Sequence, residues 1–200
     1  MSNLLVLGND KIGGLAFEKL FLFDNLHILV DRSTNAKRIL KLLQSKRIQL
    51  GLVVKMFWAE LVRKGCKPPR ELQAVKSNAD LRQQINQASY EKIYLFRAGL
   101  IINQSVIRTG LKILNVHAAK VPEYGGIGSI NRALNEEAYD QYASLHVVTS
   151  KIDDGQVLDK EPFTLDSQKS YLENEQIAYD AAICLLLRSL KGTLNNSESF

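Results

Sequence analysis

Cysteine is scarce. Only Cys66 and Cys184 occur in 200 residues, too few for a disulfide framework and at a spacing that matches no metal-ligand pattern, so a reducing compartment and no bound metal are the simplest reading. Long apolar runs are also missing: the longest, Ala181 to Leu187, falls far short of the about 20 residues that a bilayer span needs. The first residues, Met1-Ser2-Asn3-Leu4, lack a basic leader, and the apolar run from Leu4 to Leu7 stops at Gly8, too early for a secretory signal. These absences predict a cytoplasmic protein with no membrane partner. No Gly-x-Ser-x-Gly occurs and neither cysteine has a polar, turn-like setting, so no nucleophile motif is present. Gly-x-Gly-x-x-Gly spacing is absent too, which removes the dinucleotide fingerprint.

What is present is ordinary globular material, 46% hydrophobic and 24% charged, with neither disorder nor a fibrous repeat indicated. The length suits one domain over 1–200, able to bury roughly 70% of its unfolded surface, with 193–200 read as a frayed tail. The net charge of +5 suits attraction of anionic small molecules better than nucleic acid. Lys and Arg are spread along the chain, and the densest cluster, Arg38 to Arg47, has the spacing of a solvated helix face.

Apolar runs and helical spacings alternate through most of the chain. Asn3 to Leu7 reads as a strand and Ile12 to Phe23 as a helix. Leu26 to Val30 is a second strand, and Asp31-Arg32-Ser33-Thr34 offers a cap for a helix over Asn35 to Lys46. Gln49 to Val54 is β-like, and a helix from Met56 to Lys64 follows. Ser77-Asn78 caps Ala79 to Gln87, Ile93 to Phe96 is a strand, and Ile101 to Arg108 a short helix. Ile113 to His117 is the next strand, and a loop with Pro122, Gly125, Gly126 and Gly128 leads to a helix capped by Ser129. Ser144 to Thr149 and Val157 to Phe163 read as strands around the turn Asp153-Asp154-Gly155. A long helix from Ser170 to Lys191 closes the chain at Gly192. Such alternation implies a mostly parallel sheet covered on both faces, with ligands outside the carboxyl ends of its strands.

Two strand ends carry polar residues, Gly8 to Lys11 and Asn115 to Tyr124. His27 and His146 lie at or inside apolar runs and read as satisfied strand histidines. His117 differs, because it ends a strand before a Gly-rich loop, and the two-residue period puts Asn115 and His117 on one side. An amide donor and an acid/base thus stand together, a pairing suited to stabilising a carbonyl oxygen and moving a proton. Arg97, between Phe96 and Ala98 at another strand end, needs solvent or a partner.

Taken together, Leu114-Asn115-Val116-His117, Val121-Pro122-Glu123-Tyr124-Gly125-Gly126, Ala133-Leu134 and the stretch from Leu145 through Asp153-Asp154-Gly155 to Leu158 resemble the formyltransferase family that uses 10-formyltetrahydrofolate. In that family an Asn-x-His strand end precedes a Leu-Pro-x-Tyr-x-Gly loop, a short helix and a strand leading into Asp-x-Gly. The match runs from about Tyr94 to Phe163; the amino-terminal half agrees only in its α/β pattern. The resemblance implies a three-layer Rossmann-like α/β fold and an enzyme whose catalytic asparagine, histidine and aspartate fall on Asn115, His117 and Asp153. It further implies a folate edge at Phe96, Arg97, Leu100 and Ile101 with Ile152 and Gly155. Asn9, Lys11 and Tyr124 are the expected contacts to the acceptor, with Lys11 and the neighbouring backbone suited to a phosphate at a helix N-terminus. The expected partner is a small primary amine, anionic or phosphorylated, and a homodimer is admissible. The family's frequent His-Pro-Ser-Leu-Leu-Pro is here His117-Ala118-Ala119-Lys120-Val121-Pro122, and Gly125 replaces a frequent arginine. The loop Gly8 to Gly14 also differs from the Gly-Ser-Gly-Ser-Asn type of glycinamide ribonucleotide formyltransferases. These departures favour a nucleotide-linked amino sugar as acceptor over glycinamide ribonucleotide. A catalytically silent nucleotide- or protein-binding module is the alternative from another class.

Overall fold

The computed structural model describes residues 2–33, 36–45 and 48–192; the tail expected to fray, 193–200, lies outside them, as do Thr34, Asn35 and Lys46. In chain order the elements are β1 (Ser2–Gly8), α1 (Lys11–Leu20), β2 (Leu26–Asp31), α2 (Ala36–Gln44), α3 (Leu50–Val62), β3 (Ala74–Val75) and α4 (Asn78–Gln87). Then follow β4 (Tyr90–Phe96), α5 (Gln104–Ile107), β5 (Lys112–His117), α6 (Ser129–Asn135), β6 (Asp140–Val147), β7 (Val157–Thr164) and α7 (Tyr171–Leu190). The strands form one sheet in the order β3-β2-β1-β4-β5-β6-β7. Pairings are parallel from β3 to β5, and β6 and β7 are antiparallel. The three-layer Rossmann-like architecture expected from sequence is present.

Alternation in the strands builds the layers. Leu5 and Leu7 of β1, Tyr94 and Phe96 of β4, and Leu114 and Val116 of β5 pack against residues of α1, α6 and α7. Leu4, Val6, Ile93, Leu95 and Ile113 point the other way, onto α4 and α5. Side-chain caps fix where the helices start: the Asp10 carboxylate accepts from Gly13 N at 2.8 Å, and Ser170 with Glu173 closes a capping box at α7. Each satisfies N–H groups that the first helical turn leaves free.

Several boundaries differ from expectation. Gln49 to Val54 is not a strand: Gln49 caps the single helix α3, to which Leu50 to Val54 belong with Met56 onward. A short, continuously apolar run does not distinguish the two by period, and Leu52 and Ala59 pack inward at helical spacing. The third strand is instead Ala74–Val75. Residues 97–103 take no regular structure before α5, and Ser129 is the first residue of α6, its cap being the left-handed Gly128. Strand β6 starts at Asp140 and ends at Val147, short of Thr149. Among the described residues no helix is long and apolar enough to cross a membrane.

The strand order reverses direction between β1 and β4. Connections leave this point to opposite sides of the sheet, opening a crevice at the carboxyl ends of the strands.

Candidate active site

Strand β5 brings Asn115 and His117 to that crevice on the face where Leu95 of β4, the register partner of Asn115, also lies. Next to β5, antiparallel β6 sets His146 directly opposite Asn115, so the two side chains share a face. The turn after β6 then returns Asp153 over this pair, with its backbone in the left-handed region at φ 49°, where Asp and Asn are the most tolerated of non-glycine residues.

These four side chains form one cluster. Asn115 Nδ2 donates to Asp153 Oδ1 at 3.2 Å and lies 3.1 Å from His146 Nε2. His146 Nε2 is 3.4 Å from Asp153 Oδ1, and His117 Nδ1 is 3.7 Å from Asp153 Oδ2. Gly126 N donates to Asp153 Oδ2 at 2.7 Å. The carbonyl of Tyr124, which can only accept, is 3.0 Å from His117 Nε2, and the carbonyl of Val147 is 3.1 Å from His146 Nδ1. These partners assign a hydrogen to His117 Nε2 and to His146 Nδ1. The nitrogens left without a hydrogen, His117 Nδ1 and His146 Nε2, both face Asp153.

Electrostatics follows from the same contacts. Burial disfavours charge on Asp153, yet the adjacent His146 and His117 rings and the Gly126 N–H outweigh it and hold the carboxyl well below the usual carboxylate range. For His117 the balance is opposite. Burial pushes its pKa below the ordinary histidine value, against the pull of Asp153 and the Tyr124 carbonyl. At neutral pH the cluster therefore offers an ionised carboxylate beside a neutral imidazole.

The cluster opens on a cleft of about 430 Å³, within the usual range of about 300–1,000 Å³ for small-molecule sites. One side of the cleft is Leu95 with the stretch from Arg97 to Ile102, and the other the turn from Val148 to Asp153. Its far wall is a polar network on Asp10, Arg97 and helix α7. Arg97, left-handed at φ 58°, donates from Nε to Asp10 Oδ2 at 2.6 Å, also donates to the Tyr179 hydroxyl, and reaches Glu175 at 3.7 Å. Glu175 in turn pairs with Arg63 at 2.6 Å.

The sequence pattern of the formyl transferase family matches residues 30–184, well over half of the chain and all of the cluster. This chain belongs to the formyl transferase family. Solved structures agree in fold. Phosphoribosylglycinamide formyltransferase from Anaplasma phagocytophilum shares a TM-score of 0.66 at 12% identity, over 96% of this chain and 85% of that one. A sugar N-formyltransferase from Shewanella sp. gives 0.63 at 14%, over 100% and 74%. Phosphoribosylglycinamide formyltransferase from Bacillus halodurans gives 0.65 at 12%, over 100% and 98%. Among curated proteins none matches the chain in sequence.

Within this formyl transferase the expected residues divide. Asn115, His117 and Asp153 come together, and Arg97, Leu100, Ile101 and Ile152 line the cleft. Phe96 does not: it is fully buried, edge-on to Tyr179, because the two-residue period turns it to the opposite face from Leu95. Gly155 shapes the turn rather than lining the cleft, since a Cβ there would lie 1.8 Å from the Val147 carbonyl oxygen. Tyr124 is buried, with its hydroxyl donating to Glu136 at 2.9 Å; its carbonyl, not its ring, serves the cluster.

The phosphate seat expected at Asn9 and Lys11 is filled from within the protein. Lys11 N donates to Glu60 Oε1 at 3.0 Å, Gly13 N to Asp10, and Gly14 N to the Asp10 carbonyl at 3.0 Å. The Lys11 ammonium bonds the carbonyls of Leu61 and Arg63 at the end of α3, and neither Asn9 nor Lys11 lines the cleft. Sequence reasoning missed His146 and the Tyr171, Glu175, Tyr179 face of α7. The second had a usable signal, the recurrence of Tyr171, Glu175 and Tyr179 at intervals of four along one helix face. For His146 only the pairing of β6 against β5 supplies it.

Proposed function

We propose that this enzyme transfers the formyl group of 10-formyltetrahydrofolate to a primary amine of an amino sugar, with Asn115, His117 and Asp153 at the reacting centre. One observation carries the reading: Asp153, distant in sequence, comes within hydrogen-bond reach of Asn115 and ion-pair reach of His117 at the mouth of a cleft.

The cleft suits the folate. Its walls, with Leu95, Leu100, Ile102, Val148 and Ile152, are apolar enough for a flat ring, and the irregular stretch 97–103 leaves backbone groups to meet the ring's edge. When bound, the folate supplies an electrophilic formyl carbon. Asn115 Nδ2 then turns one N–H from the cluster to the formyl oxygen, where negative charge grows as the amine attacks. Neutral His117 accepts a proton from that amine at Nδ1, and Asp153 stabilises the imidazolium and keeps the ring oriented. His117 next releases the proton to the departing nitrogen. His146, held by Val147, fixes Asn115 and Asp153 in place.

The acceptor reading draws on the other wall. Glu60 and Asp10 hold the first N–H groups of α1, and two carboxylates there repel a phosphate. The paired carboxylates, tyrosines and Arg97 instead suit hydroxyl groups, so any phosphate of the acceptor lies away from α1. The test is incubation with 10-formyltetrahydrofolate and a panel of amines, including amino-sugar nucleotides and glycinamide ribonucleotide, while tetrahydrofolate release is followed. Release dependent on an amino sugar is expected. Release with glycinamide ribonucleotide alone overturns the acceptor, and release with no amine overturns formyl transfer.

A further inference from the structure

Helix α3 carries a feature that the chemistry does not use. Its inner face, with Leu52 and Ala59, packs on the protein, but Leu50, Val54, Phe57, Trp58, Leu61 and Val62 are all between 44% and 70% exposed. Leu50, Val54, Phe57 and Leu61 follow one another at intervals of four, three and four residues, the spacing by which one helix seats its side chains in the holes of another. The exposed surface of these six residues comes to roughly 700 Å², judged from the size of aliphatic and aromatic side chains. A monomer's largest apolar patch is about 300–600 Å², and a stable pair of proteins hides about 800 Å² on each partner.

We propose that this stripe is the contact between two copies of the chain, packed α3 against α3. The area is what a twofold pair requires from each side, and the spacing suits a helix better than an extended segment. Within Leu50–Val62 there is one lysine, Lys55, and one glutamate, Glu60, so the helix neither repels its own copy nor offers surplus charge to an anionic lipid surface. Pairing also bears on the site. On the inner face Leu52 abuts Gly128, where a Cβ would lie 2.5 Å from its Cδ2, and Met56 lines the cleft. A partner that presses α3 inward therefore steadies the loop whose Gly126 N–H holds Asp153.

Trp58 is the chain's single tryptophan and reports directly on the stripe. Sedimentation at micromolar concentration should give twice the chain mass of 22.5 kDa, and dilution to nanomolar should halve the mass and shift Trp58 emission to the red. Phe57→Glu, and separately Leu50→Glu, should give monomers with unchanged circular dichroism, since both side chains face solvent in a single copy. A wild-type monomer at tens of micromolar overturns the proposal, as does a dimer that survives both substitutions. Trp58 emission that moves only on addition of phosphatidylglycerol vesicles to a monomer would assign the stripe to a membrane and overturn it too.

Discussion

Asp153 shows how one position serves two demands. Its left-handed backbone aims the carboxylate back at β5, and its charge opposes the burial that keeps the neighbouring imidazole neutral. Because burial depresses the His117 pKa, the imidazole is neutral through most of the physiological range and takes on charge only below its ordinary value of 6.5. Turnover that needs neutral His117 should thus be flat at neutral pH and fall on an acid limb below about 6.5. Asp153 raises the His117 pKa against that burial, so Asp153→Asn, which keeps a residue tolerant of positive φ, should move the limb to still lower pH. The profile of kcat/KM for residual activity checks this; a limb that stays in place would remove Asp153 from control of His117. His117→Ala should cost about 10²–10⁴-fold in kcat with unchanged circular dichroism. His117 was legible in the sequence because a strand end before a Gly-rich loop is a local pattern. His146 was not, because inside an apolar run nothing local separates a core histidine from one that faces an active cleft.

At the level of elements, the turn joining β6 to β7 is set by close approach of backbone. Gly155 lies against the Val147 carbonyl oxygen, and Gly125 lies under Asp153, where a Cβ would meet the aspartate Cβ at 2.9 Å. Gly155→Ala has no room and should displace the turn bearing Asp153. A shift of about 1 Å at such a site can cost about 10²-fold, and a loss of that order in kcat is expected, with KM for the amine and the melting temperature much less affected. An equal fall in stability would show the turn to be a folding element instead. Sequence periodicity located most helices and strands, since each buries one face and shows its period. It failed at α3, whose outer face is as apolar as its inner one, so that no polar side marked the helical repeat. It failed also at β3, too short to carry a period.

Across the whole molecule, Glu175 joins parts that are distant in sequence. It accepts from Arg63, just past α3, and from Tyr171 one turn earlier in α7, and forms an ion pair with Arg97, just past β4. Removing one partner of a buried ion pair costs about 3–5 kcal/mol, so Glu175→Ala should lower the urea midpoint accordingly at unchanged m, whereas an exposed pair would cost under about 1 kcal/mol. How this network connects could not be read from the sequence, because its members lie on three separate segments and only the finished sheet brings them together. The α/β class and the Asn115 to His117 strand end needed only neighbouring residues. The antiparallel ladder between β5 and β6 has a consequence of its own. Asn115 stands opposite His146, and His117 opposite Ser144; sliding β6 by a single residue would seat an aliphatic side chain against Asn115 and turn the imidazole into the opposite layer. The ladder is thus a ruler for the chemistry, and an odd-numbered insertion within β6 would silence the enzyme while leaving each reacting side chain in the sequence.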